Sequence, residues 1–182
     1  VESFDGRGEA VYDCKGELVC TQAFPSMPIY FWNDNNNEQY NAAYFEKYPG
    51  IWHHGDYVNI TSQGGVKIFG RSDTTLNPGG VRIGTAEIYQ AIERFTEIED
   101  SIVIGQPWEN DERVILFVVM GADIHLTDDL KHNIKKYIRE SCSPKHVPAI
   151  IISIKDIPYT INGKKVELAV KNIIQEMEVK NR

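Results

Sequence analysis

Residues 70–89, GRSDTTLNPGGVRIGTAEIY, separate a β-patterned stretch from one that mixes helices with strands, so the fold must hold two units. The segment ends a strand at Arg71, carries Asp73, turns at Asn77-Pro78-Gly79-Gly80, adds Arg82 and opens a helix at Gly84-Thr85. Pro78 stiffens the entry to the turn, while Gly79 and Gly80 allow positive φ or close approach of a ligand to the backbone. Charge and glycine at this density are unlike a core segment. A ligand site and a plain connector both satisfy these residues.

Ahead of this segment, GEAVYD and GELVCT alternate apolar and polar positions around a polar turn at 13–16, which predicts a hairpin. The proline-rich, aromatic FPSMPIYFWNDNNNEQ is expected to be an ordered surface loop that docks on something. Residues 38–48 carry the spacing of a short amphipathic helix, stopped by Pro49-Gly50, and 51–60 and 66–71 read as strands. Asp56 follows Gly55 in the first of these strands. Its carboxylate can accept two hydrogen bonds from a ribose diol, and Gly-Asp is also an ordinary turn pair.

Beyond Arg71 the apolar spacing predicts a helix at 85–95, strands at 98–104 and 113–120, a helix capped by Thr127 and running to 142, a strand at 149–154 and a helix at 166–177. VILFVVM suits the centre of a sheet. The fold class is therefore α+β, with a β-rich part at 1–73 and a small α+β domain at 74–182.

The formal net charge of −7 provides no broad basic field for a polyanion, so nucleic acid is not expected as a partner. No apolar run reaches the roughly 18 residues of a membrane span, and the first residues lack a signal peptide's apolar stretch, so a cytoplasmic protein without membrane attachment is expected. Cys14, Cys20 and Cys142 show neither disulfide nor zinc spacing and read as small buried hydrophobes. His53 and His54 would point to opposite faces of a strand, and no metal site is predicted.

IPYTINGKKVELAV places Lys164 and Lys165 after an Asn-Gly turn at an expected helix start. The helix dipole disfavours cations there unless they are solvated or an anion arrives. A solvated surface pair is the plainer reading. A phosphate-binding P-loop is not present, because GxxxxGK[ST] is absent.

Taken together, GELVC at 16–20, WHHGD at 52–56, GRSDTTLNPGGVRIGTAEIY at 70–89 and PYTINGKK at 158–165 resemble, in order and separation, the later motifs of the adenylate-forming acyl-CoA synthetases. Within that family, FPSMPIYFWND, YFEKYPGIWHHGD and IPYTINGKKVELAVK look most similar to the branch that activates acetoacetate. The family reaction joins a carboxylic acid to AMP with release of pyrophosphate, after which the thiol of coenzyme A displaces AMP. The resemblance implies ATP, with its Mg2+, and coenzyme A as the reaction's partners.

The resemblance also implies roles residue by residue. Asp56 would hold the ribose hydroxyls, with Arg71 assisting at ribose or phosphate. Asp73 would be the hinge about which the small domain turns between half-reactions. Lys164 would bridge the acyl carboxylate and α-phosphate during adenylation. Gly80 would leave room for the pantetheine arm, while Arg82 and Arg139 would meet coenzyme A phosphates. Glu87 reads instead as a first-turn acid complementing its helix dipole. His54, Tyr159 and Asn162 depart from the family wording and blur the acid more than the reaction class.

The family's phosphate loop, adenine segment and acyl pocket lie upstream of these motifs. Residues 1–73 are thus expected to be the tail of a large N-terminal domain that is this chain's missing partner. Residues 74–182 would be the mobile C-terminal domain, and the chain alone is expected to be inactive. Apolar surface left uncovered on the first part would follow. The competing readings are a synthetase for acetate or another short acid, and a non-catalytic nucleotide- or coenzyme-A-binding module.

Overall fold

The computed structural model describes residues 1–177 as two compact units, Val1–Ser72 and Asp73 onward. In the first unit β1 (Glu2–Phe4), β2 (Lys15–Cys20), β3 (Trp52–Ile60) and β4 (Val66–Arg71) form an antiparallel sheet in chain order. Phe4, Val19 and Tyr48 make its buried core. The expected strand at GEAVYD is absent. Asp5 instead accepts the backbone N–H groups of Arg7 and Glu9, which turns the chain early. Residues 9–13 then bury no side-chain face, so β2 pairs with the shorter β1.

Between β2 and β3, α1 (Glu38–Tyr44) is started by the buried Asp34, whose carboxylate accepts the N–H groups of Gln39 and Tyr40 at 3.1 and 2.8 Å. Those are donors a helix start otherwise leaves unpaired. Tyr44 stacks on Trp52 at 3.7 Å, and Phe31 meets Tyr40 and Tyr44 edge-on. The neighbouring Ile29 and Trp32 are more than four-fifths exposed.

The second unit has α2 (Thr85–Ile92), β5 (Ile98–Trp108), β6 (Asp111–Met120), α3 (Asp128–Ser141), β7 (Ile150–Ile154) and α4 (Glu167–Ile174), an α+β arrangement. Its sheet runs β5-β6-β7, with β5–β6 antiparallel and β6–β7 parallel. Glu109 and Asn110 take φ of 50° and 65°, so a two-residue turn continues the hairpin beyond the expected strand ends. Alternation along the strands covers both faces. Val103, Leu116 and Val118 pack with Ile88, Ala91, Ile134 and Ile138 of α2 and α3, while Ile102, Ile104 and Phe117 pack with Ile157 and with Val170 and Ile174 of α4. The Thr127 hydroxyl accepts from the N–H of Leu130 and caps α3.

Candidate active site

In the first unit the β3–β4 register sets Asp56 opposite Arg71. Gly55 has φ +83°, and a Cβ built on it would stand 2.8 Å from the Arg71 guanidinium, so this arginine lies over the glycine's bare backbone. Arg71 Nη1 donates to the His54 carbonyl at 3.1 Å. His54 Nδ1 meets Asp56 Oδ2, which leaves Oδ1 without a partner among the described residues. A carboxylate oxygen and a guanidinium thus share one end of the strand pair, a combination able to take a diol and an anion.

The same unit holds a buried anionic centre that sequence reasoning missed. Glu17, 4% exposed, meets Lys47 and the Ser72 hydroxyl and lies 3.1 Å from His53 Nε2. Burial works to raise its pKa, but the hydrogen bonds from His53, Lys47 and Ser72 outweigh it and hold the carboxyl at about 2. Ser72 also donates its N–H to the Gly55 carbonyl at 2.9 Å. Residues up to Ser72 are therefore tied into the sheet, and the exposed Asp73 is the first residue of the second unit. Only the alternation around Glu17 in GELVC was visible beforehand, and it does not announce a buried charge.

In the second unit a bridge between the buried Leu76 and Ile83 closes a loop over 77–82. Carboxylates of the β5–β6 hairpin brace that loop, because Glu112 accepts from the N–H of Asn77 at 2.6 Å and Asp111 from that of Gly79 at 2.7 Å. Gly79 and Gly80 both take positive φ, 59° and 76°. The Lys145 ammonium occupies the space a Gly79 side chain would need, whereas nothing stands within 4 Å of a Cβ on Gly80. Arg82 is exposed on the same loop. Arg139 is exposed in the last turn of α3, and no described contact joins it to the loop. Lys145 is the basic residue that touches the loop. The sequence shows it between Pro144 and Pro148 but gives no sign of the contact.

Glu87 sits in the first turn of α2 and lies 3.2 Å from Nε2 of the buried His146, whose Nδ1 meets Ser143. Glu87 thus has the first-turn place expected of it, and His146 gives its carboxylate a partner the sequence did not show. The cysteines are free; Cys14 is exposed and the other two are half-buried, contrary to the expectation of full burial. Among the described residues no group of His, Cys, Asp and Glu could hold a metal ion, and no helix is long and apolar enough to cross a membrane.

The two lysines of the NGKK turn are not alike, nor do they stand on the helix start as expected, since α4 begins at Glu167. Both belong to a tight loop closed by the Tyr159–Lys165 bridge, with Gly163 at φ +73°. Lys165 is engaged. Its ammonium lies 2.6 Å from Asp100 Oδ1, donates to the Ser101 carbonyl at 2.6 Å and sits 4.6 Å above the Tyr89 ring. Tyr89 in turn donates to Glu167 and accepts the N–H of Val103. Burial, then the Glu167 carboxylate, push its pKa far above the usual phenol range. Lys164 is exposed, its backbone N–H bonded to Thr160 Oγ1 at 3.1 Å, and its ammonium meets no partner among the described residues.

Residues 87–164 match the AMP-binding enzyme C-terminal domain. The whole chain is 52% identical to acetoacetyl-coenzyme A synthetase of Rhizobium meliloti (strain 1021) and covers 28% of that protein. It is 50% identical to acetoacetyl-CoA synthetase of Xenopus tropicalis, covering 27% of it. Its fold superposes on acetoacetyl-CoA synthetase from Streptomyces lividans with a TM-score of 0.90 at 45% identity, over 96% of this chain and 26% of the other. The chain thus spans little more than a quarter of the length of the curated relatives it matches.

Proposed function

Because the chain belongs to the adenylate-forming acyl-CoA synthetases, we propose that it works as the C-terminal part of an ATP-dependent ligase that converts acetoacetate to acetoacetyl-CoA. Residues 1–73 complete a large domain, and residues 74–182 form the small domain that turns about Asp73. The carboxylate of the acid attacks the α-phosphorus of ATP, the bond to pyrophosphate breaks, and an acyl-adenylate forms. The sulfur of coenzyme A then attacks the acyl carbon, and AMP leaves with the carboxylate oxygen.

The observation that carries this reading is the contrast between adjacent lysines. Lys165 is committed to Asp100, whereas Lys164, in a closed loop, offers an ammonium that meets no partner among the described residues. A compact, mobile cation of this kind can neutralise charge gathering on the α-phosphoryl oxygens and the attacking carboxylate. Asp56 Oδ1 accepts from a ribose hydroxyl and Arg71 stands beside it. In the thioester step, the open space at Gly80 admits the pantetheine arm, with Arg82 and Arg139 toward its phosphates. Mg2+ would arrive with ATP.

The test measures pyrophosphate release and CoA-thioester formation by the intact enzyme with acetoacetate, acetate and butyrate, for the wild type and Lys164→Ala. Acetoacetate is expected to be the preferred acid. The pyrophosphate step should fall by about 10²–10³-fold in the variant, with thioester formation from supplied acyl-adenylate retained. Undiminished pyrophosphate release would refute the lysine's role, and no turnover of any acid would favour a binding module.

A further inference from the structure

The loop that carries Lys164 has a fixed shape but little apolar anchorage. Thr160 and Lys164 close it internally, with the Thr160 N–H bonded to the Lys164 carbonyl at 2.8 Å. Its tip residue Ile161 is fully exposed and Tyr159 nearly half exposed, so hydrophobic burial does not hold the loop to the domain. Polar ties to β5 do. Asp100 Oδ1 takes the Lys165 ammonium and the Ser101 N–H, while Oδ2 takes the Tyr159 hydroxyl. Of these donors, Tyr159 and Lys165 are the residues of the bridge that closes the loop, on either side of Lys164.

The backbone prepares Asp100 for this task. The β5–β6 register runs from Ile98↔Met120 directly to Asp100↔Val119, so Glu99 is an extra residue in β5. Such a bulge re-aims the side chain that follows it. Asp100 also shares its parity with Ile102 and Ile104, on the face covered by α4. The Asp100 and Lys165 side chains are about three-quarters buried, 25% and 28% exposed, so their pairing is screened less than a surface ion pair.

We propose that Asp100 is a positioning residue for adenylation: by gripping Tyr159 and Lys165 together, its carboxylate fixes the loop between them and so the place at which the Lys164 ammonium is offered. The inference rests on the role proposed for Lys164. Tyr159, one of the residues that departs from the family wording, gains a function here, since its phenol supplies one of the two grips. Lys165 acts as a tether, so the paired lysines divide the work into holding and reacting.

The test uses the intact enzyme and resolves its half-reactions. Asp100→Asn keeps the side chain's size and removes its charge. Pyrophosphate formation is expected to slow by up to about 10²-fold, the scale of a displacement of about 1 Å in a catalytic group. KM for ATP and thioester formation from supplied acyl-adenylate should stay as in the wild type. On a Lys164→Ala background Asp100→Asn should add no further loss, because the group it positions is gone. Tyr159→Phe, which removes a single hydroxyl, should show the same selectivity with a smaller loss, and it carries the test if Asp100→Asn does not fold. Equal slowing of both half-reactions, or an additive loss in the double variant, would overturn the inference and leave Asp100 a stabilising residue. A harmless Lys164→Ala would instead overturn the function proposed for the lysine.

Discussion

Glu17 offers a measurement in which pH reads the fold directly. Its carboxyl, with an ordinary value of 4.5, sits at about 2 in the folded protein, which corresponds to about 3 kcal/mol of stability when ionised. The folded value is depressed, so this contribution is fully present above the unfolded value and is lost as pH falls from about 5 toward 2. Glu17→Gln should therefore destabilise the first unit by about 3 kcal/mol at neutral pH, and by more if Lys47 and His53 cannot rehydrate. Its stability should then be nearly flat across the acid window in which the wild type declines. Urea titrations of this chain from pH 7 to pH 2.5, followed by the emission of Trp52 in a Trp32→Phe, Trp108→Phe background, would report the first unit, because Trp52 is buried there against Tyr44. The two proteins should converge at the acid end. An unchanged acid decline in Glu17→Gln would refute the argument and assign the titration to other carboxyls.

Two further substitutions probe other ties. Thr127→Ala removes the hydroxyl that caps α3 and should cost about 1 kcal/mol in thermal or urea unfolding of the second unit; no measurable change would mean that the N–H of Leu130 is satisfied equally well by water. Gly55→Ala forces a side chain into positive φ and against the Arg71 guanidinium. It should cost about 1–3 kcal/mol of first-unit stability and weaken AMP binding to the intact enzyme by calorimetry; wild-type affinity would refute the nucleotide role proposed for Arg71.

Much of the second unit could be read from spacing because its signals are local. Thr127 precedes an amphipathic run, and VILFVVM is long enough to belong only to the middle of a layered sheet covered on both faces. The strand expected at GEAVYD failed because alternation there is not matched by burial, and the Asp5 turn decides the chain's path first. Lys164 and Lys165 looked alike in sequence. Only the fold separates them, because Lys165's partner, Asp100, lies in a distant strand behind a bulge that no pattern of residue types displays. The same holds for Glu17, whose partners Lys47, His53 and Ser72 are gathered by sheet register, and for Lys145 against Gly79.

The ties around the Lys164 loop have one more effect. In the order β5-β6-β7, β5 has a strand neighbour on one side only among the described residues. Its outward backbone groups are nevertheless not bare, since Lys165 caps the Ser101 carbonyl and the Tyr89 hydroxyl caps the Val103 N–H. An uncapped strand edge is a template for pairing with another chain and so for aggregation. Loosening this loop would therefore also bare the Ser101 carbonyl on that edge, and solubility would press on the same residues as the catalysis proposed for Lys164.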